Sequence, residues 1–319
     1  MEESSRIFIA GHRGMVGSAL HRRLADSHPN LVLRSRAELD LSDKNAVVRL
    51  FKNERPEYVF LAAAKVGGIQ ANWSYQGEFI YSNLAIQVNI LEAAREYGVR
   101  RLLFMGSSCV YPRECPQPIR EEYLLTSPLE TTNRAYAVAK IAGIEMCGAY
   151  NRQYGTKFLA VMPTNLYGLN DNYDLQSSHV LPALIRKFHE AKVGGKSTVN
   201  VWGTGSARRE FLNSEDLADA CVFLMNLQDE RFDALLSADF PLINIGCGED
   251  MTIRELTELV KAVIEFEGAI EWDSSKPDGT PRKLLDVSRM SALGWRAHTP
   301  LREGIALAYA DYNKKQAAA

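Results

Sequence analysis

Cysteine is scarce and unpatterned in this sequence. The five present, Cys109, Cys115, Cys147, Cys221 and Cys247, are odd in number and form neither a C-x-x-C pair nor a Cys/His spacing suited to a metal. That excludes a disulfide framework and leads to the expectation of reduced thiols in a cytoplasmic protein with no metal. An excess of one charge is missing too. With 37 Lys+Arg against 39 Asp+Glu the net charge is -2, which gives no electrostatic case for nucleic acid or a membrane as partner. No apolar run reaches the roughly 18–20 residues of a membrane span. Met1 is followed by Glu2 and Glu3, not by a basic and then apolar run, so no secretory signal is expected. There is no internal repeat. What remains, 319 residues with 46% hydrophobic and 24% charged side chains, is the composition of a globular protein of one large or two modest domains.

The chain opens on an apolar run, Arg6 to Ala10, that breaks into Gly11-His12-Arg13-Gly14-Met15-Val16-Gly17 and then a helical pattern through Leu24. Strand, glycine turn and helix in that order make a phosphate-binding unit, so Gly11, Gly14, Met15, Val16 and Gly17 are candidate dinucleotide contacts; the alternative is a plain glycine-rich turn. A second strand, Leu31 to Leu33, ends in Arg34-Ser35-Arg36. An acidic residue there would suit the ribose hydroxyls of NAD, whereas Arg34, Arg36 and Arg13 suit the 2′-phosphate of NADP, unless they are solvated surface charges. Asp40 and Leu41 follow where an adenine edge would lie. Tyr58 to Ala64 reads as a buried strand ending in Ala62, Ala63 and Ala64, small enough for a cofactor to approach the backbone. Ile80, Leu84, Val88 and Leu91 recur at helical spacing, as core or as a dimer face.

Arg101 to Met105 is a further strand, delivering Gly106-Ser107-Ser108-Cys109 at its carboxyl end, where ligands bind in open α/β sheets. After a Pro-rich loop come Tyr136 and Lys140, four apart in a segment without Pro or Gly, hence on one face of a helix. A tyrosine beside an ammonium is a candidate proton donor, and the positive charge is expected to shift the phenol toward phenolate. Lys157 to Met162 forms the next strand, closing on Pro163-Thr164-Asn165-Leu166. Strands and helices alternate to this point, which implies a parallel, doubly wound sheet.

Beyond Gly168 the pattern changes. A polar loop leads to a helix from Val180 to about Ala191, then a strand at Val199–Trp202 and a Gly203-Thr204-Gly205 turn. Asp216 is expected to open a helix to about Met225, and Ile243–Gly246 to be a last strand of the main sheet. Thr252 is expected to cap a helix to about Phe266, Asp278–Lys283 to form a basic loop, and Leu301–Tyr312 a closing helix.

The glycine turn, Ser107, and the Tyr136/Lys140 pair resemble the working parts of the short-chain dehydrogenase/reductase superfamily. With Trp202-Gly203-Thr204-Gly205 and Arg209 they resemble its extended, nucleotide-sugar branch, and within it the epimerase-reductases of GDP-4-keto-6-deoxy-D-mannose. The resemblance spans nearly the whole chain through Ala62–Gly68, Ser107-Ser108-Cys109, Met162–Asn165 and His179-Val180-Leu181-Pro182. It implies an α/β fold: a Rossmann-type doubly wound parallel sheet with a smaller, mainly C-terminal α/β substrate domain. The expected division is residues 1–168, with 214–246 returning, for NADP(H), and 169–213 with 247–319 for the substrate. It also implies an enzyme forming GDP-L-fucose by epimerisation at carbons 3 and 5 and NADPH-dependent reduction of the 4-keto group, and a homodimer.

As implied by that resemblance, Cys109 is the base and His179 the acid of the epimerisations, Ser107 and Tyr136 bind the keto oxygen, and Lys140 holds the nicotinamide ribose. His179, Pro163, Asn165 and Leu166 join the cofactor contacts; Lys187, Trp202, Arg209, Lys283 and, less directly, Asp278 contact the GDP-sugar. Cys109 and His179 also admit ordinary structural roles, and Trp202 admits two, stacking on a ligand or filling a core. Two rivals share the fold: another nucleotide-sugar epimerase or 4,6-dehydratase, and a non-catalytic NADP-sensing protein. A dehydratase would place an acidic pair where Cys109 and Val110 stand, and a sensor would typically lack Tyr136 or Lys140.

Overall fold

The structure is a computed structural model describing residues 1–236, 239–276 and 278–317; residues 237 and 238 of the expected returning segment lie outside the described residues. In chain order the elements are β1 (Ile7–Ala10), α1 (Met15–Ala25), β2 (Leu31–Val32), α2 (Lys44–Glu54), β3 (Tyr58–Leu61), α3 (Ile69–Ser74), α4 (Gln76–Glu96) and β4 (Arg101–Met105). Then come α5 (Arg134–Tyr154), β5 (Phe158–Pro163), β6 (Asn165–Tyr167), α6 (Val180–Val193), β7 (Thr198–Trp202), β8 (Arg208–Asn213), α7 (Ser214–Met225) and α8 (Asp229–Leu236). The chain closes with β9 (Leu242–Ile245), β10 (Asp250–Thr252), α9 (Ile253–Ile264), β11 (Ala269–Asp273), β12 (Arg282–Lys283), α10 (Ser288–Leu293) and α11 (Leu301–Ala317).

The apolar runs form one parallel sheet in the order β2-β1-β3-β4-β5-β9. Its strands are buried on both faces, and their side chains alternate between two cores, as a period of two requires. Phe8, Val59, Leu102, Phe104 and Phe158 point to one face, where Phe51 of α2, Ile90 and Leu91 of α4 and Ile144 of α5 cover them. Ile7, Ile9, Phe60, Leu103 and Val161 point to the other, under Leu20 and Leu24 of α1 and Leu217 and Cys221 of α7. Each fully buried side chain of this size contributes about 1.5–3 kcal/mol relative to exposure.

A third core lies outside the sheet, built from Leu181, Ile185 and Phe188 of α6, Val199 and Val201 of β7, Leu256 and Val260 of α9, and Ile305 and Tyr312 of α11. Here β7 pairs with β11, and β8 lies between β10 and β12 with β6 also alongside. The chain crosses the expected boundary at 247 once more. Leu285 packs into the first core of the main sheet, and Met290 and Trp295 into the second, so residues around α10 return to that sheet.

Several ends differ from expectation for local reasons. Asn213 accepts from the backbone N–H of Glu215, so α7 starts at Ser214 and not at Asp216. Thr252 caps α9 through a capping box with Glu255, and α9 stops at Ile264 because Glu265 turns left-handed at φ 59°. Leu33 lies just past β2, and α11 runs on to Ala317.

Candidate active site

The carboxyl ends of β1, β3, β4 and β5 lie side by side, and every candidate from the first half of the chain is on or near that edge. Strand order reverses between β2 and β3 about β1, which opens a crevice there. Gly11 forms its floor: its φ of +87° is left-handed, and a Cβ on it would stand 2.8 Å from the backbone of Ala63. Gly14 caps α1 with no side chain over the helix end. The first-turn amides, including those of Met15 and Val16, are thus left facing outward, the arrangement that receives a diphosphate. Ala62, Ala63 and Ala64 are half-buried beside this loop. The chain therefore offers the groups a dinucleotide needs.

The three arginines divide. Arg34 turns back, its guanidinium paired with Glu54 and donating to the carbonyl of Leu33 at 2.8 Å. Arg13 and Arg36 are exposed, without such an internal partner among the described residues. Arg34 is thus engaged within the fold, while Arg13 and Arg36 stand open to a 2′-phosphate. Asp40 closes its own turn, accepting from the N–H and hydroxyl of Ser42 at 2.9 and 2.7 Å, while the Leu41 carbonyl accepts from Asn89 at 3.0 Å. Pro163 ends β5, and Asn165 and Leu166 lie on β6, where the Asn165 amide donates to the Glu210 carbonyl at 2.8 Å.

Past β4 the chain makes a single tight turn at Ser108–Val110, with the Ser107 hydroxyl accepting from the Cys109 N–H at 3.3 Å. Opposite runs α5, whose Gly143 rests directly on Phe104: a Cβ there would come within 2.4 Å of the ring. That close approach lets Lys140, one turn earlier, reach the carbonyl of Met105 at 2.7 Å. The buried amide of Gln87 on α4 fixes the same turn by donating to the Ala139 carbonyl at 2.6 Å. Tyr136 is half-buried and packs edge-on against Phe79, with Ser107 close by. Burial, then the nearby Cys109, raise the Tyr136 phenol above its ordinary value, and Ser107 offsets this in part. The expected shift toward phenolate is therefore reversed. Lys140 is 2% exposed and lies over the Phe104 and Tyr136 rings; burial pushes its ammonium down to about 7, so it is a weak electrostatic neighbour.

Cys109 is half-buried among groups from distant segments. The Asn133 amide donates to its Sγ at 3.2 Å, and the Lys283 ammonium stands 3.8 Å from it. Lys283 lies on β12, not in a loop, in register with Arg209 on β8. Their neighbours Arg208 and Arg282 both pair with the buried carboxylate of Asp250, which ties the two strands together. Arg209 is half-buried and donates to the Arg208 carbonyl at 2.7 Å. Burial lowers its guanidinium, with Cys109 and Asp278 acting the other way. His179 precedes α6 in extended backbone. The residue is exposed, and desolvation, then Lys283, hold its ring below the usual imidazole value. The segment carrying it is held by the Gly68 N–H donating to the Ser177 carbonyl at 2.8 Å.

The remaining candidates gather at the end of β7. Trp202 is 58% exposed and so fills no core. The ammonium of Lys187 lies 5.4 Å from its ring centroid and that of Lys276 5.5 Å. Lys187 also donates to the Asn200 carbonyl at 3.0 Å, and burial lowers it. Asp278 holds the turn after Trp202, accepting from the N–H and hydroxyl of Thr204 at 2.7 and 2.8 Å. Sequence reasoning did not reach Asn133 or Lys276. Asn133 lies three before Tyr136, as the residue that leads into α5, and that position is a usable signal; Lys276 sits in an irregular turn with none. Among the described residues no His/Cys/Asp/Glu group could hold a metal, and no helix is long and apolar enough to cross a membrane.

Residues 7–235 match the NAD dependent epimerase/dehydratase family. The chain belongs to that family. Within it, the chain is 55% identical over 314 residues to GDP-L-fucose synthase 1 of Arabidopsis thaliana, covering 98% of this chain and 94% of the relative. It is 51% identical to GDP-L-fucose synthase of Escherichia coli (strain K12) over 305 residues, covering 95% of each. Among solved structures, a GDP-mannoheptose C4 reductase from Campylobacter jejuni with NADP bound superposes with a TM-score of 0.90 at 40% identity, covering 98% of this chain and 99% of the other. The family membership bears out the resemblance read from Gly11–Gly17, Ser107 and Tyr136/Lys140, and the parallel sheet bears out the Rossmann-type fold.

Proposed function

We propose that this family member converts GDP-4-keto-6-deoxy-D-mannose to GDP-L-fucose, epimerising carbons 3 and 5 and reducing the 4-keto group with NADPH. The observation that carries the reading is the convergence of Ser107, Cys109, Tyr136, Lys140, His179 and Lys283 on one cleft, in a chain 49–55% identical to several GDP-L-fucose synthases.

Protons on the carbons flanking a ketone are acidic because the carbanion delocalises onto oxygen. Ser107 and Tyr136, which stand close to each other, would both face that oxygen and stabilise its growing charge. Cys109 removes the proton, with the Lys283 ammonium and Asn133 amide standing where a thiolate's charge would sit. His179 returns a proton to the other face. Its surroundings weaken the imidazolium, so a protonated ring gives up its proton readily. When bound, the dinucleotide supplies hydride to the carbonyl carbon. Tyr136, kept protonated by burial, supplies the accompanying proton, and Lys140 orients the ribose and the tyrosine.

Gly11, Gly14, Met15, Val16, Gly17, Arg13, Arg36, Asp40, Leu41, Ala62–Ala64, Pro163, Asn165 and Leu166 serve the cofactor in this reading. Arg209 and Lys283 serve the substrate diphosphate, since an arginine fork suits phosphate, and Trp202 with Lys187 the guanosine. Asp278 serves through the Thr204 turn. The division of labour follows residues 1–168 and 214–246 for NADP(H) and the rest for substrate, with the α10 segment as a brace. Exposed Tyr81 and Val88 on α4 and Val138 on α5 support a homodimer through those helices, and five free cysteines support a cytoplasmic setting. Adding GDP-4-keto-6-deoxy-D-mannose to purified protein and NADPH should consume NADPH; folded protein that leaves its absorbance unchanged would sink the reading.

A further inference from the structure

The base of an epimerisation leaves each proton abstraction carrying a proton it must lose before it acts again. Two inversions per product make that reset part of every turnover. Beside Cys109 lies a cavity of about 20 Å³, measured as space open to the centre of a water molecule. That is room for one water. Cys109, Arg113, Gln117, Glu130, Asn133 and Lys283 are among its lining residues, so it offers the several polar partners an ordered water requires.

Two details point to a ligand there. Asn133 spends its amide N–H on Cys109 Sγ at 3.2 Å, while its Oδ1 is buried with no hydrogen-bond partner. A buried carbonyl oxygen left unpaired is destabilising, and a bridging water removes that penalty. Glu130 presents a fixed carboxylate: one oxygen accepts from the Thr132 N–H at 3.2 Å, and the other faces Arg113 at 3.4 Å. The Arg113 side chain in turn reaches solvent.

We propose that this cavity holds a proton-exchanging water and that Glu130 is the group that returns Cys109 to its thiolate form between proton abstractions. The S–H bond of Cys109 breaks and its electron pair stays on sulfur. The proton passes to the water, a proton of that water passes to the Glu130 carboxylate, and Glu130 releases it to bulk solvent. No oxidant or reductant is involved. The inference rests on Cys109 being the base, as proposed above.

The test follows solvent deuterium entering the sugar in D2O, with NADP+ bound so that the keto group is not reduced. Wild type should incorporate label in one linear phase. Glu130→Gln, which keeps an oxygen for Thr132, should incorporate the first deuterium per active site at the wild-type rate and the rest at least about tenfold more slowly, in line with the loss of a proton-transfer group. Glu130→Asp should restore much of the slow phase. Equal slowing of both phases assigns Glu130 a structural role and overturns the proposal, as does an unchanged single phase. Cys109→Ser is run alongside. If it exchanges like wild type, the base assignment itself falls and the relay with it; if it abolishes exchange while Glu130→Gln shows no burst, only the relay falls.

Discussion

Lys140 is where the site costs the fold most. Its ammonium is buried at 2% exposure, with one hydrogen bond, to the Met105 carbonyl, and burial drops its value from 10.5 to about 7. The unfolded chain therefore binds a proton between about pH 7 and 10.5 that the folded protein has released. Stability from this group must rise with pH across that window. At about 1.4 kcal/mol per pH unit, the full cost is about 5 kcal/mol below pH 7 and vanishes near 10.5. Lys140→Met removes the cost. It also removes the bond to Met105, but that loss does not vary with pH. Relative to wild type, the variant should gain about 3 kcal/mol more at pH 6 than at pH 9. At about 2 °C per kcal/mol for a chain of this size, its melting-temperature advantage should be about 5 °C larger at the lower pH. Thermal unfolding of both proteins at the two values reads this directly. A melting-temperature difference that does not change with pH would refute the argument that burial depresses Lys140. The same variant should lose NADPH-dependent reduction, which would make Lys140 a residue kept for chemistry at the expense of stability.

Three further outcomes follow from the site. Tyr136→Phe keeps the packing against Phe79 but removes the proton donor, so kcat for NADPH oxidation should fall about 10²–10⁴-fold in steady-state assays; a loss under tenfold would remove Tyr136 from that role. Arg36→Ala should raise the KM for NADPH and leave that for NADH nearly unchanged. Arg34→Ala, whose guanidinium is already paired with Glu54, should shift the cofactor preference much less, and the reverse ranking would contradict the assignment. Trp202→Ala should raise the KM for the GDP-sugar about tenfold, the scale of base stacking, without altering the melting temperature, because the ring is exposed; an unfolded variant would mean that Trp202 is core after all.

The parts of this architecture legible in the sequence are those that short stretches dictate. Ile7–Ala10 and Arg101–Met105 are continuous apolar runs because both sheet faces are covered, and Tyr136 and Lys140 share a face because four residues make one helical turn. Direct chain neighbours of the glycine turn were equally plain. What escaped depends on contacts across long separations. Lys283 meets Cys109 across 174 positions, on a strand of two residues with no pattern of its own. Asp278 also bonds Thr204, and Arg34 also pairs with Glu54, contacts that no local pattern announces. The sign of the Tyr136 shift also escaped, because proximity of Lys140 says nothing about how deeply both groups are buried, and here burial outweighs the neighbouring charge.

In the proposed function one cleft both inverts stereocentres and reduces the ketone. Its most direct test is one NADPH-dependent conversion of GDP-4-keto-6-deoxy-D-mannose by the wild-type protein in D2O, with the product identified by NMR. The expected product is GDP-L-fucose carrying solvent deuterium at carbons 3 and 5. A 4-reduced sugar with its original configuration and no label at those carbons would contradict it, leaving a reductase in which Cys109 and His179 move no proton to carbon.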